Sequence, residues 1–455
     1  MADGPLVVIL AAGQGTRMRS TLPKVLHPLG GRPILLHAVD TATAVARAKP
    51  VVVVNPAQPQ VPALLDGQAD CVVQPAPRGT GDALRSVPVE LRRSGPVLVL
   101  SADVPLVRPE TLHRLLQAQA IAKSASAILT AVPTDPSGMG RIERHTDGTV
   151  LRIVEAADLP PGVVPSLECN AGVYVFSGEL LWPALDHLST ANAQSEYYLT
   201  DVVELMGGPV VAVMAADPAE AIGVNDRRQL AAAESALRRR VLDGLMLAGV
   251  TIEDPATTYV DAGVRVGPDS VIHPMSSLRR GTALGAGCQI GPGAVLDGVQ
   301  AGDRATIADA HLEDCILGDD VRVGPYCRVR ANTVLGSGVE LGTHAEVKNS
   351  TVGPATHINH FSCVLDSDVG RDVNIGAGTV TCNYDGTDKH RTTIGDGVFV
   401  GSNTTLVAPV RVGDRAYVAA GSVITADVPP GALGIGRVRQ RNIEGWVARR
   451  GRTGP

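Results

Sequence analysis

The sequence predicts two domains of different fold classes, an α/β domain built on a central sheet and then a parallel β-helix. Three observations lead to this prediction. The chain has 455 residues, which is too long for a single hydrophobic core. Before residue 225, apolar strand-like runs alternate with helical stretches. From Val260 to Ile424, an aliphatic residue recurs at six-residue spacing over long stretches.

The α/β prediction depends on short apolar runs that turn signals and helical patterns separate. These runs are Leu6 to Leu10, Val51 to Val54, Val97 to Leu100 and Ala127 to Ala131. From Asp226 to Ala248, leucines alternate with many charges, which indicates one amphipathic connecting helix. We therefore expect an α/β domain over residues 1–225, a connecting helix over 226–250, and the repeat domain with a C-terminal tail over 251–455.

The six-residue repeat has a period that no α-helix keeps. Its first stretch comprises Val260, Val266, Ile272, Leu278, Leu284, Ile290 and Leu296, and glycine often follows the aliphatic residue. This pattern is typical of short flat strands joined by tight turns and stacked as a parallel β-helix. We expect the aliphatic side chains to point inward and three six-residue units to close each triangular turn, which gives roughly nine turns.

The composition excludes several classes of protein. A formal net charge of -6 argues against a general nucleic-acid or membrane-surface binder. The seven cysteines show no CxxC spacing, which favours reduced thiols in a cytosolic protein without a metal cluster. The apolar run that begins at Leu6 is too short for a signal sequence or a membrane span.

A glycine-rich turn follows the first predicted strand. It reads Leu10-Ala11-Ala12-Gly13-Gln14-Gly15-Thr16-Arg17-Met18, and Pro23-Lys24 comes shortly after. Small residues let backbone N–H groups approach a phosphate chain, while Arg17 and Lys24 supply positive charge. A glycine-rich turn alone is more often a tight turn without a ligand, but the two cations strengthen the phosphate-binding interpretation. The turn matches neither the dinucleotide-binding fingerprint nor the Walker loop.

This opening resembles the signature of sugar-1-phosphate nucleotidylyltransferases, and further motifs match in the same order. They are Gln74 with Gly79-Thr80-Gly81-Asp82-Ala83, Ser101-Ala102-Asp103-Val104-Pro105-Leu106, Gly140-Arg141-Ile142, Ile153-Val154-Glu155, Asn170-Ala171-Gly172, Glu196-Tyr197-Tyr198-Leu199-Thr200-Asp201 and Gly223-Val224-Asn225. With the repeat domain, nearly the whole chain resembles the bacterial bifunctional family of N-acetylglucosamine-1-phosphate uridylyltransferases and glucosamine-1-phosphate acetyltransferases.

The resemblance implies a nucleotidyltransferase domain with a Rossmann-like mixed sheet, followed by a left-handed parallel β-helix of hexapeptide repeats. It implies acetyl transfer from acetyl-CoA to glucosamine-1-phosphate, then uridylyl transfer from UTP. The product would be UDP-N-acetylglucosamine, a precursor of peptidoglycan and lipopolysaccharide. A cytoplasmic homotrimer that acts on these small molecules, without a nucleic acid or membrane partner, is also implied.

The resemblance also assigns residues to the uridylyl site. It implies that Asp103 and Asn225 hold Mg²⁺, and that Arg17 and Lys24 bind phosphates. The implied nucleotide and sugar contacts are Leu10, Ala11, Ala12, Gly13, Lys24, Gln74, Gly79, Thr80, Ser101, Ala102, Asp103, Gly140, Glu155, Asn170 and Asn225. Taken alone, an aspartate after a strand such as Asp103 is more often a helix cap or turn residue.

Polar clusters interrupt the repeat, and the resemblance implies an acetyl-transfer site there. His360 would be the general base, and Glu346 could orient its imidazole. The implied sugar-phosphate contacts are Arg330, Lys348, Cys363 and Asn374, and the implied acetyl-CoA contacts are Ala377, Asn383, Tyr384, Ser402, Ala420 and Arg437. At Cys363 the family usually has a tyrosine. An isolated histidine is more often a turn or surface residue, and an isolated arginine or lysine is usually a solvated charge.

Two other functions are compatible with parts of the sequence. One is a nucleotidylyltransferase with a single activity, whose β-helix serves only assembly or regulation. The other is a trimeric structural protein with a degenerate nucleotide-binding fold. His360 and the polar loop over residues 382–391 argue against a pure scaffold, because a scaffold has no use for them.

Overall fold

The computed structural model describes residues 4–161 and 165–450, so the predicted tail lies partly outside the described residues. The chain divides between Leu237 and Arg238 into two compact units. This division falls inside a 21-residue helix, Arg227–Leu247. No helix in the described part of the chain is long and apolar enough to cross a membrane.

The first unit is built on one mixed sheet, as the sequence predicts. Its strands, with a separate two-stranded hairpin, are β1 (Leu6–Leu10), β2 (Pro28–Leu29), β3 (Arg32–Pro33), β4 (Val51–Val54), β5 (Asp70–Val73), β6 (Pro96–Ser101), β7 (Ser126–Ala131), β8 (Arg141–Arg144), β9 (Val150–Val154), β10 (Cys169–Ser177) and β11 (Val210–Met214). The sheet order is β11-β7-β10-β6-β1-β4-β5, and β8 pairs with β10 and β9. Strands β6, β1, β4 and β5 are parallel, whereas β10 is antiparallel to β6 and β7.

Helices cover both faces of this sheet. They are α1 (Ile34–Ala46), α2 (Gln60–Leu64), α3 (Thr80–Arg85), α4 (Pro109–Ala122), α5 (Gly178–Leu185) and α6 (Val202–Leu205). Short 3₁₀ turns lie at Thr16–Met18, Lys24–Leu26, Val89–Leu91, Ala156–Asp158, Leu199–Asp201 and Pro218–Ala221. Helices α1 and α4 pack with Val7 and Ile9, while α3, α5 and α6 pack with Val8 on the other face. Because both faces are buried, β1 and β4 are apolar throughout.

The carboxyl ends of the four parallel strands bring the N-terminal motifs to one edge of the sheet. Register pairs join Leu10 to Val53 and to Ser101, and Val54 to Val73. The residues that follow these strand ends are therefore neighbours. In α/β sheets, ligands bind in the crevice outside the carboxyl ends of the strands.

The second unit begins within helix α7 (Arg227–Leu247) and continues as three parallel sheets, which form the prism. The first prism sheet contains Thr251–Ile252, Val271–Ile272, Gln289–Ile290, Thr306–Ile307, Arg322–Val323, Glu340–Leu341, His357–Ile358, Asn374–Ile375, Phe399–Val400, Tyr417–Val418 and Leu433–Gly434. The second contains Tyr259–Val260, Ser277–Arg279, Val295–Asp297, His311–Glu313, Arg328–Val329, Glu346–Lys348, Cys363–Leu365, Val380–Cys382, Thr405–Val407 and Val423–Ile424.

The third prism sheet contains Arg265–Val266, Ala283–Leu284, Gln300–Ala301, Cys315–Leu317, Thr333–Leu335, Thr351–Val352, Ser367–Val369, Thr392–Ile394 and Val410–Val412. A short helix, α8 (Trp446–Arg449), follows near the end of the described residues. Consecutive strands of the chain go to different sheets in rotation, so the predicted parallel β-helix is confirmed.

Inward aliphatic side chains hold the prism together. Ile272 pairs with Ile290 and Val323 with Leu341, which is the 18-residue turn that three six-residue units predict. The second sheet stacks Leu296, Leu312 and Val329 in the core, all fully buried. One turn is longer, because residues 383–391 form a loop between Val380–Cys382 and Thr392–Ile394.

Candidate functional site

Three side chains from separate segments meet at the carboxyl edge of the sheet in the first unit. Lys24 begins a 3₁₀ turn, Asp103 follows β6, and Asn225 precedes α7. The Val224 N–H donates to the Asp103 carbonyl at 2.8 Å, which fixes Asn225 beside Asp103. The Lys24 ammonium forms an ion pair with Asp103 Oδ2 and donates to Asn225 Oδ1 at 3.0 Å. Two side-chain oxygens thus converge on one cation.

The residues present fit the Mg²⁺ that the sequence implies. Asp103 and Asn225 provide carboxylate and amide oxygens, the hard ligands that Mg²⁺ prefers. Both oxygens already face the same positive group, the Lys24 ammonium. A Mg²⁺ ion usually takes only one or two carboxylate-type ligands from the protein and completes its shell with water and substrate phosphates.

The glycine-rich turn after β1 is held by its neighbours along the same edge. The Ala11 N–H donates to the Val53 carbonyl at 2.9 Å, and Asn55 Nδ2 donates to the Ala12 carbonyl at 3.0 Å. Arg17 is exposed in the turn Thr16–Met18 and does not join the Lys24 cluster. An adjoining cavity of about 440 Å³ is lined by Gln14, Ser20, Thr21, Leu22, Pro23, Asn55, Pro56, Ala57, Gln58, Gln60, Pro75 and Pro77.

Gln74 and Gly79 lie between β5 and α3, and Thr80 begins α3. Gly79 has φ of 116°, and a Cβ there would stand 2.5 Å from the Tyr197 carbonyl oxygen, so only glycine fits. The Thr80 hydroxyl accepts from the Leu199 N–H at 3.1 Å. At the end of β6, the Ala102 N–H donates to the Leu10 carbonyl at 3.0 Å, and the Ser101 hydroxyl donates to the Gly172 carbonyl at 3.2 Å.

The predicted sugar contacts also come together. The Asn170 N–H donates to the Gly140 carbonyl at 2.9 Å, and a Cβ at Gly140 would stand 3.5 Å from Glu155 Oε2. Glu155 Oε1 accepts from the Thr200 hydroxyl at 2.9 Å. Burial raises the pKa of Glu155 above its ordinary value, against the opposing effect of the Thr200 hydrogen bond. Asn170 Nδ2 donates to the Tyr174 hydroxyl oxygen at 2.6 Å.

One corner of the prism collects His360 and three of the predicted acetyl-CoA contacts. Ile358, Ile375, Val400 and Val418 pair in register on successive turns. Two residues after each of these come His360, Ala377, Ser402 and Ala420, which therefore form one column. Arg437 extends this column, because its Cδ would lie 3.7 Å from a Cβ at Gly421.

The His360 imidazole is exposed and stands against a glycine. A Cβ at Gly342 would be 2.9 Å from His360 Nδ1, so a larger residue would displace the ring. Neither ring nitrogen has a hydrogen bond within residues 4–161 and 165–450. Glu346 Oε1 instead accepts from Arg330 Nη1 at 3.1 Å. The orienting role of Glu346 toward His360 therefore stays a prediction.

The outward face of the second prism sheet carries three of the four predicted sugar-phosphate contacts, Arg330, Lys348 and Cys363. Arg330 and Lys348 follow Val329 and Val347, which pair in register. Glu346 pairs with Cys363 on the next turn, and Cys363 Sγ lies 3.9 Å from Glu346 Oε2. Burial and the neighbouring Glu346 carboxylate raise the pKa of Cys363.

Asn374 and Asn383 are each fixed by a side chain from an adjacent turn. Asn359 Nδ2 donates to Asn374 Oδ1 at 3.3 Å in the first prism sheet. Asn383 Nδ2 donates to Asp366, which also accepts from Asn349 Nδ2. Burial opposes the Asp366 charge, but these two hydrogen bonds hold the pKa of Asp366 below its ordinary value.

The loop that begins at Asn383 exposes Tyr384. The Tyr384 hydroxyl donates to the Gly386 carbonyl at 2.6 Å, and an isolated antiparallel bridge joins Tyr384 to Lys389. Hydrogen bonds from the Asp388 backbone N–H and the His390 ring are the main causes that lower the pKa of Asp385. The loop therefore has its own ordered network outside the prism wall.

Sequence reasoning did not single out four polar residues that position the predicted contacts: Asn55, Asp82, Thr200 and Asp366. Asp82 and Thr200 lie inside motifs that the sequence analysis quotes, and Asn55 directly follows a buried strand. The motifs and the position after a strand could therefore have pointed to these three residues. Asp366 had no such signal, because its partners lie 17 residues away on each side.

Comparison with protein families agrees with this division of the chain. Residues 7–203 match the model of the MobA-like NTP transferase domain. Residues 255–360 and 311–424 match the model of the GMPPB C-terminal domain. The two matches cover the mixed-sheet unit and the prism separately.

Curated relatives match along almost the entire chain. The protein named "Bifunctional protein GlmU" of Pelobacter propionicus is 44% identical over 449 residues, which cover 97% of this chain and 98% of the relative. The protein of the same name from Brevibacillus brevis is 44% identical, with 96% and 95% covered. The one from Mycolicibacterium gilvum is 45% identical, with 98% and 92% covered. At this identity and coverage, the chain belongs to the family of bifunctional GlmU proteins.

Proposed function

We propose that the chain is a bifunctional enzyme that makes UDP-N-acetylglucosamine in two steps. The prism transfers the acetyl group of acetyl-CoA to glucosamine-1-phosphate, and the mixed-sheet unit then transfers uridylyl from UTP to N-acetylglucosamine-1-phosphate. Family membership supports both activities. The observation that carries the assignment of sites is that each unit brings predicted site residues together, Lys24 with Asp103 and Asn225 in the first, and His360 in one column with Ala377, Ser402 and Ala420 in the second. Because UTP and acetyl-CoA are cytoplasmic metabolites, a cytoplasmic enzyme is expected.

Uridylyl transfer requires alignment and charge neutralisation and does not require a general base. The sugar phosphate is already ionised when it attacks the α-phosphorus of UTP, and pyrophosphate leaves. Mg²⁺ held by Asp103 and Asn225 would neutralise phosphate charge. Lys24 stands at the same point and binds the phosphate chain, and Arg17, exposed at the glycine-rich turn, reaches the phosphates from solvent.

The remaining edge residues position the two substrates. Residues 10–13, Gln74, Gly79 and Thr80 hold the uracil nucleotide, with Ser101 and Ala102 at the end of β6 beside them. Gly140, Glu155 and Asn170 hold the sugar. Gly140 has no side chain, which leaves room for the sugar beside Glu155.

Acetyl transfer requires a group that removes a proton from the attacking amine. His360 performs this role, because its imidazole is exposed and a ring nitrogen can accept the proton of the attacking amine. Since Nδ1 lies against Gly342, Nε2 is the nitrogen that accepts the amine proton. The amine forms the amide bond, the thioester bond breaks, and CoA leaves as its thiolate. Ala377, Ser402, Ala420 and Arg437 hold acetyl-CoA, together with Asn383 and Tyr384.

The sugar phosphate of the acetyl site is bound by Arg330 and Lys348 on the second prism sheet, with Asn374 nearby on the first. Cys363 occupies the position of the family's tyrosine and provides no hydroxyl. Arg330 and Lys348 therefore contribute most of the phosphate affinity.

The two sites predict separable losses. Substitution of Asp103→Ala removes a carboxylate that holds the metal and should lower uridylyl transfer by about 10²-fold or more. Substitution of His360→Ala should lower acetyl transfer by about 10²- to 10⁴-fold. Each variant should keep the other reaction near the wild-type rate, measured as pyrophosphate release and CoA release. If each substitution fails to abolish its own reaction selectively, the assignment of two sites is wrong.

The half-buried Glu155 predicts a pH dependence of stability. Its folded pKa lies above the unfolded value, so its contribution to stability is fully present below the unfolded pKa and is lost as pH rises through the folded pKa. Asp158 and Asp201 add to this effect. Glu155→Gln should therefore raise the melting temperature relative to wild type by an amount that grows above pH 4.5.

Glu179→Gln is the matched control for the same substitution at an exposed position, and its pH profile of melting temperature is compared with that of Glu155→Gln. A Glu155→Gln melting temperature that falls below wild type as pH rises would contradict the argument.

A homotrimer is proposed for the assembly. An apolar row lies on the outer face of the first prism sheet, where Phe399 pairs with Tyr417 and Tyr417 with Leu433. These side chains are 42%, 56% and 60% exposed in a single chain. Such a flat apolar face is typical of a surface that another subunit covers. Sedimentation equilibrium should give a mass of three times 47.1 kDa, and a monomeric mass at micromolar concentration would overturn this assembly.

A further inference from the structure

The side-chain amide of Gln74 is held at one end by two acceptors. Gln74 follows β5 and is only 3% exposed. Its Nε2 donates to Asp82 Oδ2 at 2.9 Å and to the Gly79 carbonyl at 3.3 Å. A carboxylate and a carbonyl accept hydrogen bonds and do not donate them. The end of the amide that faces them must therefore be the nitrogen.

Asp82 is itself fixed and paired. It lies in the first turn of α3 and is 4% exposed. Its second oxygen, Oδ1, accepts from Arg78 Nη2 at 2.9 Å. Each carboxylate oxygen thus has one donor, which is the condition under which a buried carboxylate is tolerated.

The opposite end of the Gln74 amide offers a free acceptor. Gln74 Oε1 has no hydrogen-bond partner in the described part of the chain. The Gln74 N–H donates to the Val54 carbonyl at 2.9 Å, which places Gln74 beside Asn55 at the carboxyl edge of the sheet. Asn55 in turn bonds to Ala12 of the glycine-rich turn. The free oxygen therefore belongs to the edge that binds the nucleotide.

A fixed acceptor distinguishes nucleobases by the edge they present. Uracil carries an N–H at position 3, which donates to an oxygen. Cytosine has a bare nitrogen at position 3, which is an acceptor and would oppose Gln74 Oε1. If the amide were free to turn over, its NH₂ group would face the base and this distinction would be reversed.

We propose that Asp82 is a positioning residue that locks the Gln74 amide with Oε1 toward the nucleotide, and thereby makes the site select a base that carries an N–H donor. This inference rests on the proposed uridylyl transfer and names the basis of its nucleotide specificity. Arg78 holds Asp82 through Oδ1, whereas Gln74 donates to Oδ2.

Substitution of Asp82→Asn tests this positioning role with little change in the shape of the side chain. The new side-chain amide has one oxygen for two donors, Arg78 and Gln74, and its NH₂ group can hold Gln74 Oε1 instead. Only the longer hydrogen bond to the Gly79 carbonyl, at 3.3 Å, then favours the original orientation of the Gln74 amide, so both orientations become accessible. The full-length chain with Mg²⁺ and N-acetylglucosamine-1-phosphate is assayed for kcat/KM with UTP and with CTP. The UTP to CTP ratio should fall by about tenfold or more in Asp82→Asn, since one buried hydrogen bond reverses its direction.

Two further variants separate positioning from folding. Arg78→Gln removes the ion pair between an exposed arginine and the buried Asp82, but the new side-chain amide can still donate to Asp82 Oδ1, so the ratio should stay within about threefold of wild type. Gln74→Met has a similar volume without the amide, so most of the preference for UTP over CTP should be lost. This result does not depend on whether Asp82→Asn folds.

The proposal is overturned if folded Asp82→Asn keeps the wild-type ratio, if Arg78→Gln lowers the ratio as much, or if Gln74→Met leaves it unchanged. A wild-type chain that uses neither UTP nor CTP contradicts the proposed function itself. Wild-type turnover of UTP with an unchanged ratio in the variants contradicts only the role of Asp82.

Discussion

In-register parallel pairing of strands is the constraint on which both units depend. Parallel strands end at the same edge, so residues that follow different strands become neighbours although they are far apart in the sequence. In the mixed sheet this brings Ala12, Asn55, Gln74 and Asp103 to one edge. In the prism the same pairing stacks His360, Ala377, Ser402 and Ala420 in one column. Apolar side chains hold the strands, and the chemistry lies where the strands end.

The polar groups at these strand ends are kept in place because each has hydrogen-bond or ion-pair partners. Asp82 has a donor on each oxygen, Asp366 accepts from two asparagines, and Lys24 has two oxygen partners. A buried carboxylate without such donors would be neutral or would destabilise the fold. Among the described residues, Glu155 has only the Thr200 hydroxyl as a donor, and burial raises its pKa despite this hydrogen bond. The partners of each group therefore decide how far its burial is compensated.

The sequence was sufficient for the architecture because its signals are local. The six-residue period predicts the prism without knowledge of any distant contact, and the motifs around Arg17, Lys24 and Asp103 predict a phosphate site. Contacts between turns were harder to predict. Glu346 accepts a hydrogen bond from Arg330 of the preceding turn, and its orienting contact with His360 stays a prediction. The turns near this region differ in length from 18 residues. The repeat alone therefore does not predict which side chains meet on neighbouring turns.

The amide of Gln74 shows why positioning residues are missed. Asp82 lies eight residues from Gln74, and their contact depends on the left-handed backbone at Gly79 and the first turn of α3. The motif supplies the residues, but only the folded loop shows that both oxygens of Asp82 are used. The proposed specificity at this edge depends on the pair Gln74 and Asp82, although each alone looks like an ordinary polar residue.

The central claim is that two sites in one chain act in sequence, and the most direct test follows one substrate through both. Purified chain with Mg²⁺, UTP and glucosamine-1-phosphate is monitored by ³¹P NMR, with and without acetyl-CoA. The account predicts that UDP-N-acetylglucosamine and pyrophosphate accumulate only when acetyl-CoA is present. Formation of a UDP-sugar at the same rate without acetyl-CoA, or acetylation without later uridylyl transfer, would contradict it.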